Sequence, residues 1–243
     1  MLLNSITLLN VIKSGNIDNR SILYSVGLKI VTKQLIAVLT GDIVGSQKIA
    51  PQYYDTMLQT IETTFSWFAT KTEINFDLFR GDAFQAVFTT PSMSISSAII
   101  LRLALKICQP SFSARQSIGI GTATALRAKT KISTGEAFLL SGTGLDQIKG
   151  NLLTIHTSQA NFQTKIGLLT KFLDNHLADL TTTQSEVLLC YLRSEDKSHD
   201  AIAKTLNKTR SNVTRLLNAC RYQLIVDYIR HFENCLAEEF TDV

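Results

Sequence analysis

Two apolar runs, each joined to a Gly-Asp pair, constrain the fold of this chain more than any other feature. The run Leu35–Leu39 leads into Gly41 and Asp42, and a second pair, Gly81 and Asp82, lies later in the chain before another mostly apolar run. Such runs favour β-strands, and glycine beside each carboxylate lets a ligand approach the backbone closely. Two carboxylates on neighbouring strands would form a hard-oxygen site suited to Mg²⁺ or Mn²⁺ with a phosphate ligand.

The segments around these pairs alternate between strand and helix patterns. Apolar residues recur at helical spacing from Pro51 to about Ala69 and from Ser92 to about Cys108. The resulting order, βαββαβ, predicts an α+β domain of ferredoxin-like topology. Strands are predicted at Gln34–Leu39, Glu73–Phe79, Ala83–Phe88 and Ala114–Ala123. A helix broken at Ser141–Gly144 and a short strand at Asn151–Ile155 are expected to follow.

From Thr181 the pattern becomes all-helical. Ser198 is a suitable N-cap for a helix over His199–Leu206, and Asn207 tolerates the positive φ of a tight turn. A long helix is then predicted from Thr209 or Ser211 through Leu236, which completes a helix-turn-helix pattern. The predicted domain organisation is an N-terminal extension at 1–33, an α+β domain at 34–158, a connecting helix at 159–180 and a helix-turn-helix domain at 181–243.

The predicted helix-turn-helix is locally basic, within a chain of net charge +4. Its second helix would point polar side chains into a DNA groove, where Arg reads guanine and Asn reads adenine, while flanking cations contact phosphates. The alternative is a three-helix packing or dimerisation module with a solvated basic face. The predicted DNA-binding residues are Lys204, Lys208, Arg210, Ser211, Asn212, Thr214, Arg215 and Arg221.

Two resemblances to known families agree with these patterns. The runs Leu180–Glu186 and Ala201–Val213 resemble the helix-turn-helix of bacterial regulators and of the DNA-recognising region of sigma factors. The runs Leu39–Ser46 and Phe76–Phe88 resemble the metal-binding segments of class III nucleotidyl cyclases, and more closely those of SatD-like proteins with cyclase-like folds. The cyclase resemblance also covers Gly119–Thr122 and Ile132–Asp146, and in all spans residues 34–155.

The cyclase resemblance implies a site for Mg²⁺ or Mn²⁺ and a nucleotide. By position, the metal ligands would be Asp42, the backbone carbonyl of Ile43, and Asp82. The resemblance also points to nucleotide-binding residues near these ligands. They are Gly45, Ser46, Arg80 and Lys149.

The chain also departs from the cyclase pattern. The base-selecting position is Leu78, and the late Asn and Arg of the cyclases would fall near Asp146 and near Lys149 or Gly150. Because loss of a positioned arginine at a phosphoryl centre costs orders of magnitude in rate, no residue is assigned as catalytic. The alternative for both aspartates is a structural role at strand ends.

Composition limits the remaining choices. The four cysteines show no CxxC or regular spacing, which argues against a zinc or disulfide framework and favours a reducing cytoplasm. No segment approaches the roughly 20 apolar residues that span a bilayer. The sequence therefore predicts a cytoplasmic protein without a membrane partner, and the cyclase resemblance implies a homodimer.

The leading hypothesis from the sequence is a DNA-binding transcriptional regulator whose cyclase-like domain senses a nucleotide or metal. The competing hypothesis is a divalent-metal-dependent enzyme acting on a nucleoside triphosphate by cyclisation or hydrolysis. Whether the chain is an enzyme is left open at this point, and a purely structural adaptor is the third alternative.

Overall fold

The computed structural model describes residues 34–79, 81–127 and 129–240. The predicted extension at 1–33 and Arg80 lie outside the described residues. The strands are β1 (Leu35–Ile43), β2 (Ile74–Phe79), β3 (Ala83–Phe88), β4 (Ala114–Ala125), β5 (Thr134–Gly135) and β6 (Leu153–Thr157). The α-helices are α1 (Pro51–Ala69), α2 (Met93–Ile107), α3 (Glu136–Gln147), α4 (Ala160–Asp179), α5 (Thr182–Arg193), α6 (His199–Thr205), α7 (Arg210–Ala219) and α8 (Tyr222–Glu239).

The strands form one mixed sheet with β1 at its centre. Strands β2, β3, β1 and β4 lie side by side in that order, and each pairs antiparallel with its neighbour. Strand β6 adds to β4 in parallel, and the short β5 pairs with the far end of β4. The predicted mixed α+β fold is confirmed, and β1 and β4 are longer than the sequence patterns indicated.

Helices cover both faces of this sheet. Ala37 and Leu39 of β1 pack into the core shared with α1 and α2. On the opposite face, Thr40 makes a buried 2.9 Å hydrogen bond to Ser141 of α3. A Cβ at Gly119 of β4 would lie only 2.2 Å from a backbone oxygen of α3. Glycine at this position lets α3 lie directly on the sheet. Strand β1 is apolar because helices cover it on both faces.

The prediction of a helix broken at Ser141–Gly144 is wrong, because α3 runs through these residues without interruption. The small size of two of these residues, Ser141 and Gly144, serves packing instead. Ser141 is fully buried against β1, and a side chain at Gly144 would lie 2.3 Å from the His156 ring. Glycine therefore lowers helix propensity here in exchange for close contact with the sheet.

The prediction of one long helix through Leu236 is also wrong. The predicted helix is interrupted between α7 and α8, where Arg221 adopts a left-handed conformation with φ of 52°. The break turns α8 back against α4, where the Thr170 and Tyr228 hydroxyls lie 2.7 Å apart. The Phe162 and Phe232 rings also meet edge to face at 5.6 Å between centroids. Burial of this apolar face outweighs continuation of the helix.

The C-terminal helices share a continuous hydrophobic core with the sheet. The clearest link is buried: Arg102 of α2 donates to both a carboxylate oxygen and the backbone carbonyl of Asp174 on α4. The second Asp174 oxygen accepts the Leu152 backbone N–H at 3.0 Å. Within the described ranges, no helix combines the length and apolar character required to cross a membrane.

Replacing Asp174 by Ala is expected to lower the free energy of unfolding by about 3–5 kcal/mol, because the Arg102 charge would remain buried without its partner. Urea denaturation monitored by circular dichroism measures this change. The matched control is Glu195→Ala, which removes an exposed partner of Lys71 and should cost at most about 1 kcal/mol. Equal losses in the two variants would contradict a special role for the buried pair.

Candidate functional site

The antiparallel register brings the three predicted metal ligands to one end of the sheet. Asp42 lies opposite Ala83 of β3, and the Ile43 backbone N–H donates to the Asp82 carbonyl at 2.9 Å. Gly81 makes the tight bend between β2 and β3 with φ of 79°. The two Gly-Asp pairs, distant in sequence, are thus adjacent in space.

The carboxylate of Asp42 is held by a residue that the sequence patterns did not single out. Arg115 of β4 lies directly opposite Asp42 and binds it with two hydrogen bonds, Nε to Oδ1 at 2.8 Å and Nη2 to Oδ2 at 2.5 Å. The hydrogen bond that Arg115 donates to Asp42 is the largest cause that raises the pKa of Arg115, and the charge of Asp146 also raises it. Both oxygens of Asp42 are therefore engaged by a guanidinium group.

The carboxylate of Asp82 has different surroundings. The Ser46 hydroxyl donates to its Oδ2 at 2.6 Å. Ser46 begins a short 3-10 turn directly after Gly45, which has a left-handed φ of 67°. An open groove beside this contact is lined by Ser46, Gln47, Ile49, Pro51, Tyr54 and Asp82. Asp82 therefore faces the N-terminal end of α1, which is the positive end of the helix dipole.

The two carboxylates have different partners at the same strand end. Side chains alternate along a strand, so Asp42 shares the face of Thr40, which contacts α3. Asp82 lies in the turn just before β3, where its carboxylate accepts the Ser46 hydroxyl beside the groove at the start of α1. One ion held by both carboxylates would require Asp42 to leave Arg115.

The donor set nevertheless has the right chemistry for a hard divalent ion, because carboxylate and carbonyl oxygens are what Mg²⁺ and Mn²⁺ prefer. Among the described residues, no cluster of three or more His, Cys, Asp or Glu side chains is arranged to hold a metal. Any ion here would thus depend on two carboxylates and backbone or ligand oxygens. Lys149 is exposed just beyond α3, and Asp146 on that helix lies within electrostatic reach of Arg115.

A second candidate surface is formed by α5, α6 and α7. Thr181 caps α5 with a reciprocal capping box, Ser198 caps α6 and Thr209 caps α7. Asn207 has the expected positive φ, at 50°, in the turn between α6 and α7. The polar side of α7 faces outward because its apolar side is buried. The buried residues include Val213, Leu216 and Leu217 of α7 and Ile202 of α6.

The predicted DNA-binding residues divide by exposure. Lys204, Arg210, Ser211, Arg215 and Arg221 are exposed, whereas Lys208, Asn212 and Thr214 are half-buried. Several already have partners: Lys208 Nζ lies 3.0 Å from Glu186, Thr214 shares a 2.8 Å hydrogen bond with His199, and Arg215 donates to Asn212 at 3.0 Å. Arg210 Nε also lies 3.5 Å from an Asp200 oxygen. Because Arg210 and Arg215 are exposed, these contacts are weak and can be exchanged for a contact with an anion.

Arg115 is the site residue that the sequence analysis missed. One signal was present, since a basic residue stands near the start of a strand predicted within the same sheet as the Asp42 strand. Whether Arg115 reaches Asp42 depends on the register of the two strands. A shift of one residue would place the Arg115 side chain on the opposite face of the sheet.

Comparisons with known proteins give a likeness at the level of fold. No family model matches the chain, and no curated protein matches it. Among solved structures, the catalytic core of a rhodopsin-guanylyl cyclase with converted specificity, in complex with ATPalphaS, is 17% identical with a TM-score of 0.43. The match covers 54% of this chain and 80% of that one.

Two further guanylyl cyclase structures show similar values. Guanylyl cyclase Cya2 is 17% identical with a TM-score of 0.41, over 51% of this chain and 75% of that one. The monomeric guanylyl cyclase domain of the RhoGC fusion protein from the aquatic fungus Blastocladiella emersonii is 15% identical with a TM-score of 0.43, over 54% and 84%. These structures are of the class that the sequence resemblance names, but at such values they carry no inference about activity.

A double-mutant cycle on Asp42 and Arg115 is expected to give a coupling energy of about 1–2 kcal/mol. This pair is bidentate and partly buried, with side-chain exposures of 24% and 40%, so it should lie between an exposed and a fully buried pair. The measurement is urea denaturation of Asp42→Ala, Arg115→Ala and the double variant. The same cycle on Lys71 and Glu195 is the control, and coupling no larger than in that exposed pair would count against the geometry.

Proposed function

We propose that the strand end at Asp42 and Asp82 binds a nucleoside triphosphate together with Mg²⁺ or Mn²⁺. The observation that supports this most is the register that sets Asp42, Ile43 and Asp82 side by side at one end of the sheet. The adjoining groove at Ser46 and the positive end of α1 offers room and favourable electrostatics for phosphate groups.

In this proposal the chain's own residues bind and orient the ligand. The ion would be held by Asp42, Asp82 and the Ile43 carbonyl. When bound, the ion would neutralise triphosphate charge and activate the attacking oxygen. Arg115, released from Asp42, would direct its guanidinium toward phosphate oxygens. Ser46 would donate its hydroxyl to the ligand in place of Asp82.

Cyclisation or hydrolysis of the triphosphate is the reaction class that this arrangement suits. The positions of the cyclases' late Asn and Arg do not match here, so the positive charge near the phosphates would come from Arg115. Leu78 replaces the base-selecting residue, and we therefore assign no preference between purine bases.

Binding is tested by the thermal shift produced by ATP or GTP with Mn²⁺. At ligand concentrations about 100 times the dissociation constant, the melting temperature should rise by roughly 5–10 °C. Asp42→Asn and Asp82→Asn should each lower this ligand-induced shift by at least half, because each removes one anionic oxygen donor from the ion.

The control for this test is Asp55→Asn, which makes the same charge change at an exposed position next to groove residue Tyr54 on α1. It should leave the ligand-induced shift unchanged. Product analysis by chromatography on the same samples separates cyclisation, hydrolysis and binding without turnover. A shift that survives both site substitutions would place the nucleotide elsewhere on the chain.

DNA binding by α6 and α7 is the second candidate function. The favouring observation is the pair of capped helices joined at Asn207, with exposed Arg210, Ser211 and Arg215 on the outward side of α7. In a helix-turn-helix, the N-terminal part of the second helix enters the major groove. Together with the first proposal, this describes a transcriptional regulator with a nucleotide-sensing domain.

Fluorescence anisotropy with a mixed-sequence duplex pool at low salt tests the second candidate. The double variant Arg210→Ala and Arg215→Ala should weaken binding at least tenfold and reduce the slope of log affinity against log salt by about 2, because two phosphate or base contacts are lost.

Arg127→Ala is the matched control, since Arg127 is an exposed arginine remote in sequence from the α6–α7 unit. Its affinity and salt slope should equal those of the unmodified chain. Absence of binding to any duplex at low salt would eliminate this function and leave the nucleotide proposal intact.

A further inference from the structure

Trp67, the single tryptophan of the chain, lies where α1 meets the end of α5. The Arg193 guanidinium of α5 lies 5.4 Å from the centre of the Trp67 ring, and its Nη2 donates to the Thr64 hydroxyl at 3.4 Å. Lys71 Nζ lies 5.9 Å from the same ring centre and pairs with Glu195 at 3.1 Å. A cation–π contact with polar contacts beside it therefore joins the two helices.

The Arg193 side chain is incompletely hydrogen-bonded in this contact. Its Nε is buried, and no atom of the described residues accepts a hydrogen bond from it. Burial also lowers the pKa of the guanidinium. A buried donor without a partner raises the free energy of the arrangement that contains it. A small shift of α5 along α1 that gave Nε an acceptor would regain part of that free energy, so two arrangements of similar stability are available to this contact.

At its other end, α1 borders the candidate nucleotide site. Pro51 and Tyr54 line the groove together with Asp82. A Cβ at Gly81 would lie 2.8 Å from the Tyr54 hydroxyl, so the first turn of α1 also contacts the bend between β2 and β3. A ligand in the groove would therefore touch α1 directly. Because packed helices move as units by small sliding steps, a shift at the groove would be carried along α1 to Trp67.

Beyond Arg193, direct contacts continue into α6 and α7. Tyr191, two residues earlier on α5, meets the Tyr222 ring edge to face at 4.9 Å between centroids. The Tyr222 ring lies 5.8 Å from the His199 ring of α6, and His199 Nδ1 lies 2.8 Å from the Thr214 hydroxyl of α7. Thr214 is one of the predicted DNA-binding residues. The end of α5 is thus linked by contacts to the helix that would enter the DNA groove.

The loop between α5 and α6 is fixed to the end of α5 as well. Lys197 Nζ donates to the backbone carbonyls of Tyr191 and Leu192 at 2.7 and 2.9 Å. The next residue, Ser198, is the N-cap of α6. The start of α6 would therefore follow any displacement of the end of α5.

We propose that nucleotide binding at the strand end changes the affinity of the α6–α7 unit for DNA, and that the contact between Trp67 and Arg193 transmits this change. The inference rests on both functions proposed above and adds the coupling between them. Trp67 and Arg193 are positioning residues, since they act through α1 and α5 and not on either ligand. Linkage requires DNA to change the affinity for the nucleotide by the same factor.

The emission of Trp67 tests the first half of this route, because no other tryptophan contributes to it. Saturating ATP or GTP with Mg²⁺ should change the emission, since the position of the Arg193 cation over the ring changes. The change should be lost in the double variant Asp42→Asn and Asp82→Asn and retained in Asp55→Asn. Unchanged emission in a sample whose thermal shift shows nucleotide binding would overturn the proposed route.

Fluorescence anisotropy with the duplex pool, with and without saturating nucleotide and Mg²⁺, measures the coupling. In the unmodified chain the two DNA affinities should differ by at least about fivefold. Arg193→Gln and Trp67→Leu should each reduce this ratio to below about twofold. The thermal shift caused by nucleotide and the DNA affinity without nucleotide should persist in both variants, because neither residue contacts a ligand. A purely structural role would instead lower the melting temperature and leave the ratio unchanged.

Lys165→Gln is the matched control, since it removes a cation that joins α4 to α8 through Glu238 and Glu239, away from the α1–α5 contact. It should keep the full ratio. If both ligands bind the unmodified chain and the ratio stays below twofold, the coupling is wrong and both proposed functions stand. A ratio that survives both Arg193→Gln and Trp67→Leu would overturn the route. Failure of either ligand to bind would remove that function and the coupling with it.

Discussion

The buried pair between Arg102 and Asp174 is the interaction on which the arrangement of this chain most depends. A charge removed from water must be paired and hydrogen-bonded, and here the aspartate is satisfied from two directions, by the α2 guanidinium and by the Leu152 backbone. This pair holds α4 against α2 and against Leu152, the residue just before β6. Helix α8 packs on α4 in turn, so the position of the C-terminal helices relative to the sheet follows from this contact and the apolar core around it.

The same electrostatic requirement shapes the strand end. Asp42 is stabilised by Arg115 rather than left as a bare anion, while Asp82 is hydrogen-bonded by Ser46. Helix α1 extends for 19 residues from the groove beside Asp82 to Trp67 near its end. There the Arg193 guanidinium of α5 lies 5.4 Å from the Trp67 ring centre. Helix α1 therefore contacts both the candidate nucleotide site and α5, the helix that precedes the α6–α7 unit.

Features governed by neighbouring residues were predictable from the sequence. Pro51 opens α1, Ser198 caps α6 and Asn207 takes the left-handed turn, because each depends on the residue's own backbone preference or hydrogen-bonding reach. The same kind of local inference gave a wrong result at Ser141–Gly144. These residues do have low helix propensity, but close packing of α3 on β4 and β6 stabilises the helix through them.

The residues alone determined most of the succession of strands and helices, the caps of α6 and α7 and the two Gly-Asp pairs, since these are properties of short segments; the continuity of α3 and the break between α7 and α8 depended on packing. The partner of each carboxylate was settled only when the chain folded. Asp42 meets Arg115 and Asp174 meets Arg102 across separations of more than 70 residues, and strand register and helix packing select those partners. The 66% exposure of Phe172 on α4 has the same origin: apolar spacing shows that α4 is amphipathic, but which apolar residues remain uncovered depends on where α2 and α8 pack against it.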